Sequence, residues 1–151
     1  MSKRQGIKRH EALQPLSRHH MIGLHVGLKL SRAETEKSKI SLDKIIEDTR
    51  EFWFLGGQDH FREEEEILLP AYAAYANVNQ PEIIDMLLEH IKIRSGMDQL
   101  FNKELYNEEI RELGSLLHEH IRKEERILFP MIEAALPEEK LQALAPLLYD
   151  E

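Results

Sequence analysis

Apolar residues recur at three- and four-residue intervals along almost the whole chain, and nowhere do β-branched and polar residues alternate long enough to make a strand. The pattern predicts an all-α protein. Pro15 suits the first turn of a helix running to about Ser31, after which RAETEKSKI is too polar to bury a face and reads as a loop. Ser41 suits the N-cap of a long second helix to about Ala76, bent near Gly56-Gly57 and at Pro70, where a backbone donor is missing. NVNQ ends it. Pro81 opens a third helix to about Lys103, and a tight connection near Tyr106-Asn107 leads to a fourth, to about Ala135. Pro137 starts a short C-terminal helix, about 137–149, whose Leu141, Leu144, Leu147 and Leu148 can pack on the rest. Four long helices with short connections favour an up-down-up-down four-helix bundle over about residues 10–135.

One segment occurs twice. HFREEEEILLP, starting at His60, and HIRKEERILFP, starting at His120, share His, Arg, two Glu, Ile, Leu and Pro at matching positions. Two copies are too few for a solenoid and predict a pseudo-two-fold bundle instead.

The periodicity also says which way the polar residues of these helices point. Glu64 and Glu124 each follow a histidine by four residues, so carboxylate and imidazole lie about 40° apart on one helix face, one turn along. Leu113, Leu116, Leu117, Ile127, Leu128 and Met131 fall on the side of His120; Trp53, Ile67, Leu68 and Ala71 on that of His60. In the third helix Ile83, Met86, Leu87, Met97 and Phe101 accompany His90. In the first, Leu13, Leu16, Leu24 and Leu28 surround His20, with His19 at the edge of the stripe as the alternative and His25 well off it. His10 and His118 read as surface residues, the latter because it shares its face with Gly114, Ser115 and Arg122.

Composition narrows what such a core can be. The chain has 151 residues, 42% hydrophobic and 32% charged, a size and balance expected of one globular domain over 1–151. It contains no cysteine, which leaves nitrogen and oxygen as the only ligands for a metal. No apolar run approaches the roughly 20 residues of a membrane span, and no apolar signal segment follows the basic start, so a cytoplasmic location is expected. A net charge of -8 disfavours nucleic acid as a partner; the lysines and arginines before residue 10 read as a frayed basic arm.

One inward histidine per helix and an inward glutamate on two of them put six polar groups in one core. Two ionised carboxylates there would be costly without cations. A lone inward histidine is more often a hydrogen-bonded core residue than a ligand, and a run such as the four glutamates from Glu63 is usually a solvated face, but neither explains the whole set. Metal does: His20, His60, Glu64, His90, His120 and Glu124 divide into two histidines per ion with both glutamates bridging. Iron, manganese or zinc suits such donors, with positions left for a bridging oxygen and a small exogenous ligand. Glu63 matches Lys123 in the repeat and is not a shared ligand, while Glu65 and Glu125 lie about 140° off the histidine face, exposed or behind the ligands. Gly56 and Gly57, where the repeat has Leu116 and Leu117, leave room for a small ligand or for close helix packing.

LSRHH, HFREEEEILLP, the EH of the third helix and HIRKEERILFP together resemble the hemerythrin-like, or HHE, cation-binding family over about residues 10–135. The resemblance implies a bundle holding two iron ions on the six residues above, with dioxygen, nitric oxide or peroxide as the small ligand. Oxygen carriers of that family have a second histidine four residues along the third helix and a carboxylate five residues after the fourth-helix histidine. Here Arg94 follows His90 at that spacing, and Glu124 follows His120 by four. The chain is thus more similar to the branch linked with iron sensing, nitric oxide or oxidative stress. A di-iron oxidase or peroxidase and an iron-centre repair protein are the alternatives.

Overall fold

A computed structural model describes residues 8–148; the start of the basic arm and position 149 of the expected last helix lie outside them. A short 3-10 turn (Glu11–Leu13) leads into α1 (Gln14–Ser31). α2 is one continuous helix over 42–73, α3 is Pro81–Phe101, α4 covers 107–135 and the short α5 is Glu138–Leu144. Ser41 caps α2 as expected, its hydroxyl accepting from the Lys44 N–H at 3.2 Å. Each long helix packs against its neighbours in sequence, and α1 closes the ring against α4. This is the up-down-up-down bundle, and among the described residues no helix is long and apolar enough to cross a membrane.

Near the sites of the expected bends in α2, and at the matching place in α4, the helices widen. Single π-helical turns occupy Trp53–Gly57 and Glu64–Leu68 in α2, and Glu124–Leu128 in α4. The last two close on Leu69 N–H to Glu64 C=O and Phe129 N–H to Glu124 C=O, one residue before Pro70 and Pro130. Proline has no N–H to give to the preceding turn, so a wider turn there sacrifices little. The repeat thus folds alike in both helices.

These wide turns also shift the helical phase, which is why Ile127, expected inside, is 45% exposed while Leu128 is buried. Leu28 and Leu87 likewise face out, and α1 turns Gly23 and Gly27 inward instead. Gly27 and Gly114 let the α1 and α4 backbones meet: a Cβ on Gly114 would stand 2.4 Å from Ser31 N and 2.6 Å from Gly27 O. Gly114 is therefore a buried crossing point and not surface, and His118 beside it is half-buried.

The apolar core has two parts. Leu13, Leu16, Leu68, Tyr72, Met86 and Phe129 belong to one, closed off by Leu141, Leu144 and Leu148 of the C-terminal segment. Leu30, Ile45, Trp53, Ile93, Met97 and Leu117 belong to the other. Along every long helix the polar core residues fall between these two.

Candidate metal centre

His20 of α1, His60 and Glu64 of α2, His90 of α3, and His120 and Glu124 of α4 converge in that middle layer, none more than 5% exposed. All four imidazoles aim Nε2 at the centre. His20 Nε2 lies 2.8 Å from Glu124 Oε1 and 3.0 Å from His60 Nε2, which is itself 2.8 Å from Glu64 Oε2. On the other side His90 Nε2 lies 3.1 Å from Glu64 Oε1 and 3.3 Å from Glu124 Oε2, and His120 Nε2 is 3.0 Å from Glu124 Oε2. Donors held at right angles around one ion at ~2.1 Å stand ~3 Å apart, close to these spacings.

Two donor groups result, His20 with His60, Glu64 and Glu124, and His90 with His120, Glu64 and Glu124, each with its ligand atoms within 4.8 Å of one another. Two buried atoms of this layer lack a hydrogen-bond partner, as atoms aimed at a cation would. Glu64 Oε1 and His120 Nε2 make no hydrogen bond, although neighbouring polar atoms lie 3.1 and 3.0 Å away, because the directions are wrong. The clusters fit a metal site built of imidazole and carboxylate alone.

The outer nitrogens are held as well. His20 Nδ1 lies 2.5 Å from Glu125 and His90 Nδ1 2.5 Å from Glu65, while His120 Nδ1 lies 2.8 Å from Glu89. His60 is different: its Nδ1 faces His19 Nδ1 at 3.2 Å. The carboxylates are anchored in turn, Glu125 by Ser17 and Arg9, Glu65 by both terminal nitrogens of Arg94, Glu89 by Lys123. Such partners orient a ligating imidazole and raise its basicity. Arg9 is thus buried and bonded to Glu133 too, not frayed, and His10 is half-buried between Ala12 N–H and Glu138.

With protein groups alone to balance them, the carboxylates favour the protonated forms of His20, His90 and His120. Burial by itself would lower His90, but the Glu124, Glu64 and Glu65 carboxylates against its two ring nitrogens prevail and raise it to about 11. Burial is likewise outweighed at His120, raised to about 9 by the charge of Glu124 and by Glu89, and at His20, raised well above its usual range by Glu124, Glu125 and Glu64. Burial and the Glu124 charge push Glu64 up, yet the His60 charge, the neighbouring His20 and the His60 hydrogen bond bring it down to about 2. Glu124 is held well below the carboxylate range, against burial, by His120, His20 and His90. These side chains form a highly charged layer inside an apolar bundle.

Two small cavities flank the layer. One of about 120 Å³ touches His120 and is lined by Met86, Glu89, Lys123, Ile127 and Leu128. The other, about 80 Å³, touches His60 and is lined by Leu16, His19, Gly56, Asp59 and Glu63. Gly56 borders the second cavity, and both it and Gly57 sit in close contacts. A Cβ at Gly56 would meet His19 Nε2 at 2.6 Å and one at Gly57 would meet Trp53 at 2.9 Å, so these residues serve close packing.

All six sequence-predicted residues are brought together, and His20, not His19, is the α1 member of the donor groups. Glu65 and Glu125 stand behind His90 and His20, one of the two places that their helical angle allowed. The role of Glu89 went unrecognised, since no spacing relates a residue on α3 to an imidazole on α4.

No curated protein and no solved structure matches the chain. The family model described as the Hemerythrin HHE cation binding domain matches residues 13–132, which take in α1 to α4 and every residue of both donor groups. The chain belongs to the hemerythrin HHE cation-binding family.

Proposed function

We propose that this chain is a non-haem di-iron protein of the hemerythrin-like type. In this reading His20, His60, Glu64, His90, His120 and Glu124 hold two iron ions, and the centre takes dioxygen, nitric oxide or peroxide for sensing, storage or a stress response. The observation that carries it is the sharing of Glu64 and Glu124 by both donor groups: four histidines divide two and two, and each carboxylate has one oxygen for either side. Bound iron would supply positions open to a small ligand, together with redox chemistry.

The protein's own part is to bind, orient and exclude water. Outer carboxylates fix three of the imidazoles, and the two apolar clusters close the layer above and below. The cavity beside His120, with Met86, Ile127 and Leu128 in its wall, has ample room for a diatomic molecule. The reading includes a cytoplasmic location and a small-molecule partner, with neither nucleic acid nor membrane.

The test is metal content and optical spectrum of protein from iron-replete cells, for the wild type and single variants. Two irons per chain are expected in the wild type. His60→Ala and His120→Ala should each keep one, and Glu124→Ala should weaken both. A folded wild type that takes up no iron refutes the proposal.

A further inference from the structure

α3 buries Ile83, Met86, His90, Ile93, Met97 and Leu100 on one side. Its opposite side is also apolar: Ile84 is 42% exposed, Leu87 36%, Leu88 49% and Ile91 62%. Side chains three, four and seven residues apart share a helix face, so these four form one seam pointing away from the bundle. A continuous apolar stripe of this kind on a helix surface marks an interaction site more often than isolated exposed residues do.

The order of the seam identifies its occupant. Ile-x-x-Leu-Leu-x-x-Ile reads the same in both directions about the midpoint of Leu87 and Leu88. A second copy laid antiparallel across that midpoint sets Ile84 on Ile91 of the second copy and Leu87 on Leu88 of the second copy. This is the self-complementary contact that a two-fold dimer requires, with side chains meeting as in a coiled-coil seam. Charge selects the direction. Asp85 and Lys92 are exposed, seven residues apart on the same flank of the seam. In the antiparallel arrangement the two-fold brings these flanks together and each Asp85 faces a Lys92, twice over, whereas a parallel two-fold would put the two flanks on opposite sides of the seam and pair neither charge.

We propose that the outer face of α3 is a homodimer interface, in which two copies pair antiparallel through Ile84, Leu87, Leu88 and Ile91 and are locked in register by Asp85 and Lys92. The inference is independent of what the histidine layer binds, because that layer lies on the other side of the helix.

The test is sedimentation equilibrium of the full chain over a wide concentration range. A dimer is expected for the wild type, and Leu88→Glu and Ile91→Glu, both at exposed positions, should sediment as monomers with unchanged helical content. Lys92→Asp should weaken the dimer about tenfold, two favourable surface pairs having become repulsive. Adding Asp85→Lys to it should restore the original affinity. A wild type that stays monomeric throughout, a dimer indifferent to Leu88→Glu and Ile91→Glu, or a double charge exchange no better than Lys92→Asp alone would each overturn the proposal.

Discussion

His60 Nδ1 faces the imidazole of His19 at 3.2 Å, whereas the outer nitrogens of His20, His90 and His120 face carboxylates. The pseudo-two-fold makes the contrast instructive. His19 and Glu89 are each the residue before the inward histidine of their helix, and each meets the outer nitrogen of a repeat histidine. One half of the layer thus uses a carboxylate where the other uses an imidazole.

An imidazole partner polarises a ligand less than an anion does. Glu65→Gln, Glu89→Gln and Glu125→Gln should each weaken metal binding by about 10- to 100-fold, the usual cost of losing such a partner. His19→Ala should cost clearly less. Competition against a chelator of known affinity measures all four, and a loss at His19 as large as at the glutamates would contradict this account.

The helices and the inward residues were legible because both follow from periodicity along one helix, and His60 with Glu64 or His120 with Glu124 is a purely local relation. Leu28 and Ile127 were misplaced for a related reason, whereas Leu87 lies on a regular helix and falls just outside its buried stripe. A constant angle per residue ignores the wide turns at Glu64–Leu68 and Glu124–Leu128, and it gave Leu28 a buried place that Gly27 takes at the crossing with α4. Contacts between helices, such as Glu89 with His120 or Arg94 with Glu65, leave no periodic trace. Arg94 nonetheless shows what its position is for. Standing one turn after His90, it grips the carboxylate that holds the His90 imidazole.

Two glycine variants should separate a rigid contact from a yielding one. A methyl group at Gly114 would strike backbone atoms, Ser31 N at 2.4 Å and Gly27 O at 2.6 Å, so α1 and α4 must move apart. Gly114→Ala should cost about 1–3 kcal/mol or more, as overpacking does. At ~2–4 °C per kcal/mol for a chain of this size, the melting temperature should fall by several degrees. Gly56→Ala meets the His19 ring, a side chain and not backbone, and should cost less. Equal melting temperatures for the two variants would contradict the close backbone contact.

The charged layer predicts opposite pH responses for stability and for metal binding. In chelator-treated protein, His90 and His120 are raised from 6.5 to about 11 and about 9, so their contribution to stability is complete below pH 6.5 and is lost as pH rises through 9 to 11. Glu64 is lowered from 4.5 to about 2, so its contribution is complete above pH 4.5 and fades as pH falls toward 2. Urea midpoints should therefore be highest between about pH 5 and 6.5 and decline on the alkaline side. Metal must displace the histidine protons to bind, so affinity should rise over that same alkaline range, with protons released on binding. Chelator competition and urea unfolding at matched pH values measure both curves. If protein stripped of metal grew steadily more stable from pH 6 to 9, the carboxylates would not be holding protons on these histidines, and the reason for placing cations among them would be lost.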